Sequence, residues 1–270
     1  MVGKPVAHSL SPLLHRAAYA ALGLDWTYER FEVAADDLAE FVAGLDSSWR
    51  GLSLTMPLKE AVLGLGEVDP VAQRAGAGNT LILDGRRRVY NTDVAGLAWA
   101  VRRVTADPVR RVSILGSGAT ARSAVVALTS LAAEVVTIVA RNPAKAEALA
   151  GLGTELGLLV RVLPWGSVPP PADLVVAAAT AGAVDPMADQ IAASASVVLD
   201  IVYAPWPTLL AQAAAKAGRT VISGLDLLVG QALRQIELMT GQSVPADVLY
   251  AALNETGQRR QVSGPEVCRL

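Results

Sequence analysis

Five short runs rich in valine and isoleucine, RRVSILG, EVVTIVA, DLVVAAA, SVVLDIV and RTVIS, follow one another between residues 110 and 223. Each is apolar at consecutive positions, so each needs cover on both faces. The stretches between them, such as ARSAVVALTSLAA, are alanine-rich and read as helices. Strands buried on both faces and joined by helices imply a parallel sheet with a helical layer on each side. A doubly wound α/β domain is therefore expected over about 105–225.

Residues 1–104 also alternate strand and helix signals, but with more polar loops. Ser11-Pro12 reads as a cap followed by a proline suited to the first helical position, and LLHRAAYAAL continues at helical spacing to Gly23. WTYERFEV at 26–33 alternates like a half-buried strand, DDLAEFVAGL is helical, LSLT is a strand, and NTLILDGRRRVYNTD is a hairpin turning at Asp84-Gly85. TDVAGLAWAVRRV at 92–104 reads as a helix leading to a linker at Ala106-Asp107-Pro108. The chain from 226 to 270 holds further helices, expected to return to the first domain, and a polar tail.

Composition removes several function classes. No stretch reaches the roughly 18 uncharged apolar residues of a membrane span, and Asp185, Asp189 and Asp200 interrupt the most apolar region. MVGKPVAHS has no apolar signal core, and the single cysteine, Cys268, can form no internal disulfide, so a reducing cytoplasm is expected. A formal net charge of −2 without a long basic run argues against nucleic acid as a partner. His8 and His15 have no cysteine or acidic companions at ligand spacing, so no metal site is expected and local structural roles suit them.

Between the first strand of the second domain and its helix lies LGSGATARSA. Gly116 and Gly118 permit a tight turn and close approach of a pyrophosphate to the helix N-terminus, although the same pair also suits a turn with no ligand. The next strand ends in Arg141-Asn142-Pro143-Ala144-Lys145, where an NAD site would place an acid for the ribose 2′-hydroxyl. An arginine and a lysine there suit a 2′-phosphate, so the cofactor expected is NADP(H). The plainer reading of Arg141 is an exposed cation leading a helix.

In the first domain, polar residues gather in loops after strands: HSLS at 8–11, LTMPLK at 54–59, GNT at 78–80 and NTD at 91–93. Lys59 stands out. The chain has 23 Lys plus Arg, of which only Lys4, Lys59, Lys145 and Lys216 are lysines. Pro57 stops a strand and a helix begins, placing Lys59 in a first turn where the macrodipole favours an acid. Either it is a solvated surface lysine or it serves as a proton donor, a task a guanidinium performs poorly. Asp93 has two readings, partner of Lys59 and helix N-cap; Asn79 also suits a turn, Ser11 a cap, and Gln231 a solvated helix face.

The ordered set GKPVAHSLSP, LTMPLK, GAGNT, YNTDVAG, LGSGATA, ARNPAK, DIVYAPWPT and SGLDLLVGQA resembles the shikimate dehydrogenase family over almost the whole length. The resemblance implies an N-terminal α/β substrate-binding domain, a Rossmann-type NADP-binding domain, and reversible NADPH-dependent reduction of 3-dehydroshikimate to shikimate in the chorismate and aromatic amino-acid pathway, by a monomer or homodimer. It implies Lys59 as acid/base beside Asp93, Ser9 and Ser11 at the substrate carboxylate, and Thr55, Asn79, Asp93 and Gln231 on the substrate with Tyr203 nearby. Gly116, Ser117, Gly118, Ala119, Thr120, Ala140, Arg141, Asn142 and Lys145 would hold the cofactor, with Ile201 and Gly224 near the nicotinamide. The chain departs from the family pattern at Ser53 and Arg16, where asparagines are usual, at AAAT (177–180), and in a short first strand. A broader quinate/shikimate dehydrogenase and a non-catalytic paralogue are the alternatives; the Ser-x-Ser pair resembles the shikimate type, and intact Lys59, Asp93 and Arg141 argue for catalysis.

Overall fold

The computed structural model describes residues 1–255; Cys268 and the polar tail lie outside the described residues. The described residues fall into two compact units, Met1–Gly96 with 228–255, and Leu97–Leu227.

The first unit begins with β1 (Val2–Gly3), which pairs in parallel with β2 (Phe31–Glu32). A four-stranded sheet follows, built from β3 (Gly51–Ser53), β4 (Glu67–Val68), β5 (Thr80–Leu83) and β6 (Arg87–Tyr90) in the order β3-β5-β6-β4. Its helices are α1 (Ser11–Ala21), α2 (Leu38–Ala43), α3 (Leu58–Ala61), α4 (Pro70–Ala75) and α5 (Thr92–Arg102). Leu38, Leu52, Leu58, Leu81 and Val89 form the core beneath the sheet. The hairpin turns at Gly85, whose φ of +90° is disfavoured for residues with a side chain.

Three expectations for this unit change. The alternation over 26–33 yields only two strand residues, because β1 offers just Val2 and Gly3 as ladder partners. The remainder packs through its rings instead: Tyr28 stacks on His15 at 4.2 Å and Trp26 meets Tyr19 edge-on at 5.4 Å. Ser11 is not the cap of α1 but its first residue; the Ser9 hydroxyl accepts the Ser11 N–H at 3.2 Å. The helix carrying Lys59 is a single turn of four residues, so the macrodipole argument has little to act on.

In the second unit, β7 (Arg111–Leu115), β8 (Val135–Ala140), β9 (Leu159–Pro164), β10 (Ala172–Ala177), β11 (Ala195–Asp200) and β12 (Thr220–Ile222) form one parallel sheet in the order β12-β11-β10-β7-β8-β9. It is covered by α6 (Ala119–Leu128), α7 (Pro143–Glu155), α8 (Ala188–Ser194) and α9 (Leu209–Lys216). The five valine-rich runs supply five of these strands. The sixth, β9, is an edge strand that alternates exposed and half-buried residues, with Leu159 71% exposed and Arg161 exposed, whereas the other edge, β12, buries two of its three residues. The chain runs outward from β7 to β9 and returns to β10, so the order reverses between β7 and β10, the position at which open α/β sheets bind ligands.

The chain closes with α10 (Gly224–Thr240) and α11 (Ala246–Glu255). A reciprocal cap starts α10: Ser223 N–H donates to Asp226 Oδ2 at 3.0 Å, and the Asp226 N–H to Ser223 Oγ at 3.4 Å. Beyond Leu228 these helices belong to the first unit, where α11 packs on α1 and Arg50 Nε donates to Met239 O at 2.9 Å. Gly96 of α5 lies against Gln231 of α10; a Cβ there would stand 2.5 Å from the Gln231 nitrogen. Only a glycine permits that approach.

Candidate active site

The antiparallel register of the first sheet sets the site. Ser53 lies opposite Thr80, and Thr80 opposite Tyr90, so the ends of three strands align. Just beyond them, Leu54 N–H donates to Asn79 O at 2.7 Å and Asn79 N–H to Tyr90 O at 2.9 Å. Gly78 N–H donates to Lys59 O at 2.7 Å, which ties the one-turn helix α3 to the same edge. Three loops separated widely in sequence thus present their side chains together.

Lys59 Nζ stands 2.5 Å from Asp93 Oδ2, with the two side chains 17% and 10% exposed. Asn79 Nδ2 donates to the other carboxylate oxygen, Asp93 Oδ1, at 3.0 Å. Both oxygens of a largely buried carboxylate are therefore engaged, one by a cation and one by an amide, as a buried charge requires. Asp93 does not cap its helix. Asn91 does, accepting the Val94 N–H at 3.2 Å, which leaves the Asp93 carboxylate free for Lys59. Asn79 is likewise more than a turn residue: its Oδ1 accepts the Thr92 N–H at 2.8 Å and its Nδ2 reaches Thr92 Oγ1 at 2.9 Å.

Gln231 is buried, so its reading as a solvated helix face fails. Its Nε2 donates to Leu228 O at 2.9 Å and its Oε1 lies 3.4 Å from Asn79 Nδ2. Thr55 sits half-buried after β3, its N–H on Val2 O at 3.0 Å. Ser9 Oγ donates to Ser11 Oγ at 3.3 Å, and Arg30 holds Ser9 O at 2.6 Å.

A buried polar chain leads from Tyr28 to the lysine cluster. The Tyr28 hydroxyl donates to Ser53 Oγ at 2.6 Å. Ser53 Oγ donates to Gln235 Oε1 at 2.9 Å, and Gln235 Nε2 donates to Asn79 O at 3.0 Å. The two departures in this unit both act on Tyr28, Ser53 through its hydroxyl and Arg16 through a 2.7 Å bond to its carbonyl. His15 is fully buried between Tyr28 and Gln235, and burial pushes its pKa down to about 3, so the ring is neutral. His8 is exposed. Among the described residues no cluster of three or more His, Cys, Asp or Glu is placed to hold a metal ion.

In the second unit the glycine turn follows β7. A Cβ on Gly116 would meet Ala178 O at 2.4 Å, and its φ is +128°, so this glycine is required by the sheet itself. Gly118 differs: nothing lies within 4 Å of its built Cβ, and no side chain caps α6 behind it. An open glycine below an uncapped helix N-terminus fits a pyrophosphate group. Ser117, Ala119 and Thr120 are half-exposed around it, and Ala140 ends β8 buried. Arg141 is exposed, with its guanidinium 5.0 Å from the centre of the Trp165 ring, while Asn142 is occupied in capping α7 through the Lys145 N–H at 3.0 Å. Lys145 is exposed and no carboxylate occupies the 141–145 segment, as a 2′-phosphate site requires. Ile201 and Gly224 touch, since a Cβ on Gly224 would stand 2.1 Å from Ile201 O, and Tyr203 is half-buried two residues on.

Sequence reasoning missed Thr80, Thr92 and Gln235 in this network. Gln235 had a legible signal: it falls four residues after Gln231, on the same face of a helix whose neighbours Ala232, Ile236 and Met239 are buried.

Comparison with known proteins agrees with this architecture. A family profile described as "Shikimate dehydrogenase substrate binding domain" matches residues 1–81, and one described as "Shikimate 5'-dehydrogenase C-terminal domain" matches 224–253. The chain is 36% identical over 265 residues to "Shikimate dehydrogenase (NADP(+))" of Natronomonas pharaonis, covering 95% of this chain and 98% of that one. Among solved structures, Mycobacterium tuberculosis shikimate dehydrogenase superposes with a TM-score of 0.88 at 41% identity, covering 94% and 97% of the two chains. Shikimate 5-dehydrogenase from Thermus thermophilus, solved in complex with NADP(H) and shikimate, gives 0.82 at 32% identity, covering 94% and 97%. With identity spread across both units and both termini of the described fold, the chain belongs to the shikimate dehydrogenase family.

Proposed function

We propose that the chain catalyses the reversible NADPH-dependent reduction of 3-dehydroshikimate to shikimate, on the route to chorismate and the aromatic amino acids. The observation that carries this reading is the Lys59 ammonium held 2.5 Å from Asp93, with Asn79 on the other carboxylate oxygen. Reduction of a ketone needs a proton donor at the oxygen that becomes a hydroxyl, and Lys59 Nζ is that donor; in the reverse direction it takes the proton back. Asp93 fixes the direction of the ammonium. Asn79, Thr55 and Gln231 present amide and hydroxyl groups to the ring hydroxyls, and Ser9 and Ser11 present hydroxyls to the carboxylate. NADPH, when bound, supplies the hydride; Gly116 to Thr120, Arg141 and Lys145 would hold its phosphates, with Ala140, Asn142, Ile201 and Gly224 beside it and Tyr203 near the substrate.

In this reading residues 1–104 bind substrate, 105–225 bind cofactor, and the helices after 225 return to the first domain. No helix among the described residues is long and apolar enough to cross a membrane. A single cysteine and the use of NADPH support a cytoplasmic enzyme. The test is absorbance at 340 nm with shikimate and quinate against NADP+ and NAD+. Turnover with shikimate and NADP+ at the highest kcat/KM is expected. Preference for quinate would move the chain to the broader class, and no turnover with any pair would leave it a non-catalytic paralogue.

A further inference from the structure

We propose that Gln235, which bonds the Asn79 carbonyl and the Thr80 hydroxyl, is a positioning residue: its amide fixes the hydrogen-bond direction of Thr80 and so the donor strength of Asn79 toward Asp93. The inference deepens the dehydrogenase reading and rests on it for its kinetic part.

Asn79 O can only accept, so the Gln235 atom 3.0 Å away must be Nε2. Its Oε1 therefore faces Ser53 Oγ at 2.9 Å and His15 Nε2 at 3.2 Å, and both must donate to it. The neutral imidazole then carries its proton on Nε2, and its Nδ1 is left to accept from the Tyr19 hydroxyl at 3.3 Å. The second hydrogen of Gln235 Nε2 points at Thr80 Oγ1, 2.9 Å away. Thr80 can then aim its own proton at Asn79 Oδ1, at 3.0 Å.

Asn79 Oδ1 is fixed independently by the backbone N–H of Thr92, which cannot reverse. Thr80, the Thr92 N–H and, at 3.1 Å, Thr92 Oγ1 thus converge on one amide oxygen. Hydrogen bonds of this kind polarise one another, so the Asn79 N–H groups become stronger donors, and one of them faces Asp93 Oδ1. Without the Gln235 amide, the Thr80 hydroxyl is free to turn its proton elsewhere and present a lone pair to Asn79 Oδ1. Two acceptors would then face one another beside the Lys59–Asp93 pair.

Two variants separate this role from plain packing. Gln235→Leu keeps the volume but removes the hub, and also leaves Ser53 and His15 with buried unmet donors, so its melting temperature falls. Thr80→Val removes the relayed hydroxyl, leaves one Gln235 N–H unmet and keeps a β-branched strand residue, so it stays folded with a smaller fall in melting temperature than Gln235→Leu. Both are expected to lose about tenfold in kcat/KM for shikimate, the worth of one charge-assisted hydrogen bond, with KM for NADP+ unchanged. Thr80→Val within twofold of wild type for shikimate, or an equal rise in KM for both substrates, overturns the proposal. A second measurement needs no turnover: ¹⁵N NMR of the His15 ring should show a neutral Nε2–H tautomer in the wild type. A protonated Nδ1 would mean that the Gln235 amide points the other way and would defeat the inference. Absence of shikimate oxidation by the wild type would defeat the dehydrogenase reading and leave the NMR result standing on its own.

Discussion

Replacing Lys59 by alanine removes the proton donor and strips Asp93 of its cation in one step. The pair is 2.5 Å apart with side chains 17% and 10% exposed, so most of its surroundings are protein rather than water. Loss of a general acid/base residue lowers a rate by about a hundredfold or more, at least ~2.7 kcal/mol in barrier height. The uncompensated carboxylate adds a stability cost of a few kcal/mol at most, since Asn79 still donates to Oδ1. Lys59→Arg separates the two effects. A guanidinium keeps the charge pair and the fold, but does not release its proton near neutral pH. The assay is the initial rate at 340 nm with NADP+ and a full shikimate titration, alongside thermal melts of each variant. The expected outcome is that both substitutions lower kcat by about a hundredfold or more with a smaller change in KM, while only alanine lowers the melting temperature. A kcat within about threefold of wild type, with KM alone raised, would refute the proton-donor role and leave Lys59 as a binding residue.

Three further outcomes follow from the geometry. Arg141→Ala should lose roughly ten- to a hundredfold in kcat/KM with NADP+ and little with NAD+, because a guanidinium–phosphate contact is worth about 1.5–3 kcal/mol; equal losses with both would assign Arg141 to the fold. The two glycines of the turn should part company: Gly116→Ala drives a Cβ against Ala178 O and lowers the melting temperature, whereas Gly118→Ala adds a Cβ with no protein atom within 4 Å and should weaken NADPH binding, read by cofactor fluorescence, with the melt unchanged. Full NADPH affinity in Gly118→Ala would show that no pyrophosphate approaches there. His15 has a folded pKa of about 3, below its unfolded value, so it contributes no penalty above about pH 6.5 and destabilises progressively as pH falls toward 3, where only the unfolded chain takes up the proton. At pH 5 that linkage is about 2 kcal/mol, so the stability advantage of wild type over His15→Gln in urea unfolding should shrink by that amount between pH 7.5 and 5. An advantage that does not change would contradict a buried neutral ring.

The parts of the fold legible in the sequence were those in which burial acts on consecutive residues. The valine runs specified both their own strands and the parallel sheet, because strands covered on both faces leave little room for polar residues. Strand β9 escaped the same reasoning because its residues alternate between exposed and half-buried, with Leu159 and Arg161 exposed. At the site, Lys59 was legible as an exception in an arginine-rich chain, and the NTD loop as a cluster of polar residues after a strand. The division of labour inside that loop was not: Asn91 caps α5 and Asp93 pairs with Lys59, a choice made by where the helix starts and by which side chain the sheet edge brings near. Ser11, expected to cap the helix with its hydroxyl, is instead its first residue, and its own N–H is held by Ser9 Oγ. Gln231 alone reads locally as a solvated helix face until α10 is seen lying on α5, with its Oε1 3.4 Å from Asn79 Nδ2, a contact between residues far apart in the chain that no local pattern encodes.

The central claim, that this chain moves a hydride from the nicotinamide ring to a ring ketone, is tested most directly by isotope transfer. The enzyme is incubated with 3-dehydroshikimate and NADPH deuterated at one face of C4, and the shikimate formed is weighed by mass spectrometry. One of the two faces is expected to deliver a single deuterium to the carbinol carbon, and the opposite face none. Shikimate formed without deuterium from either face, or no shikimate at all, would contradict it.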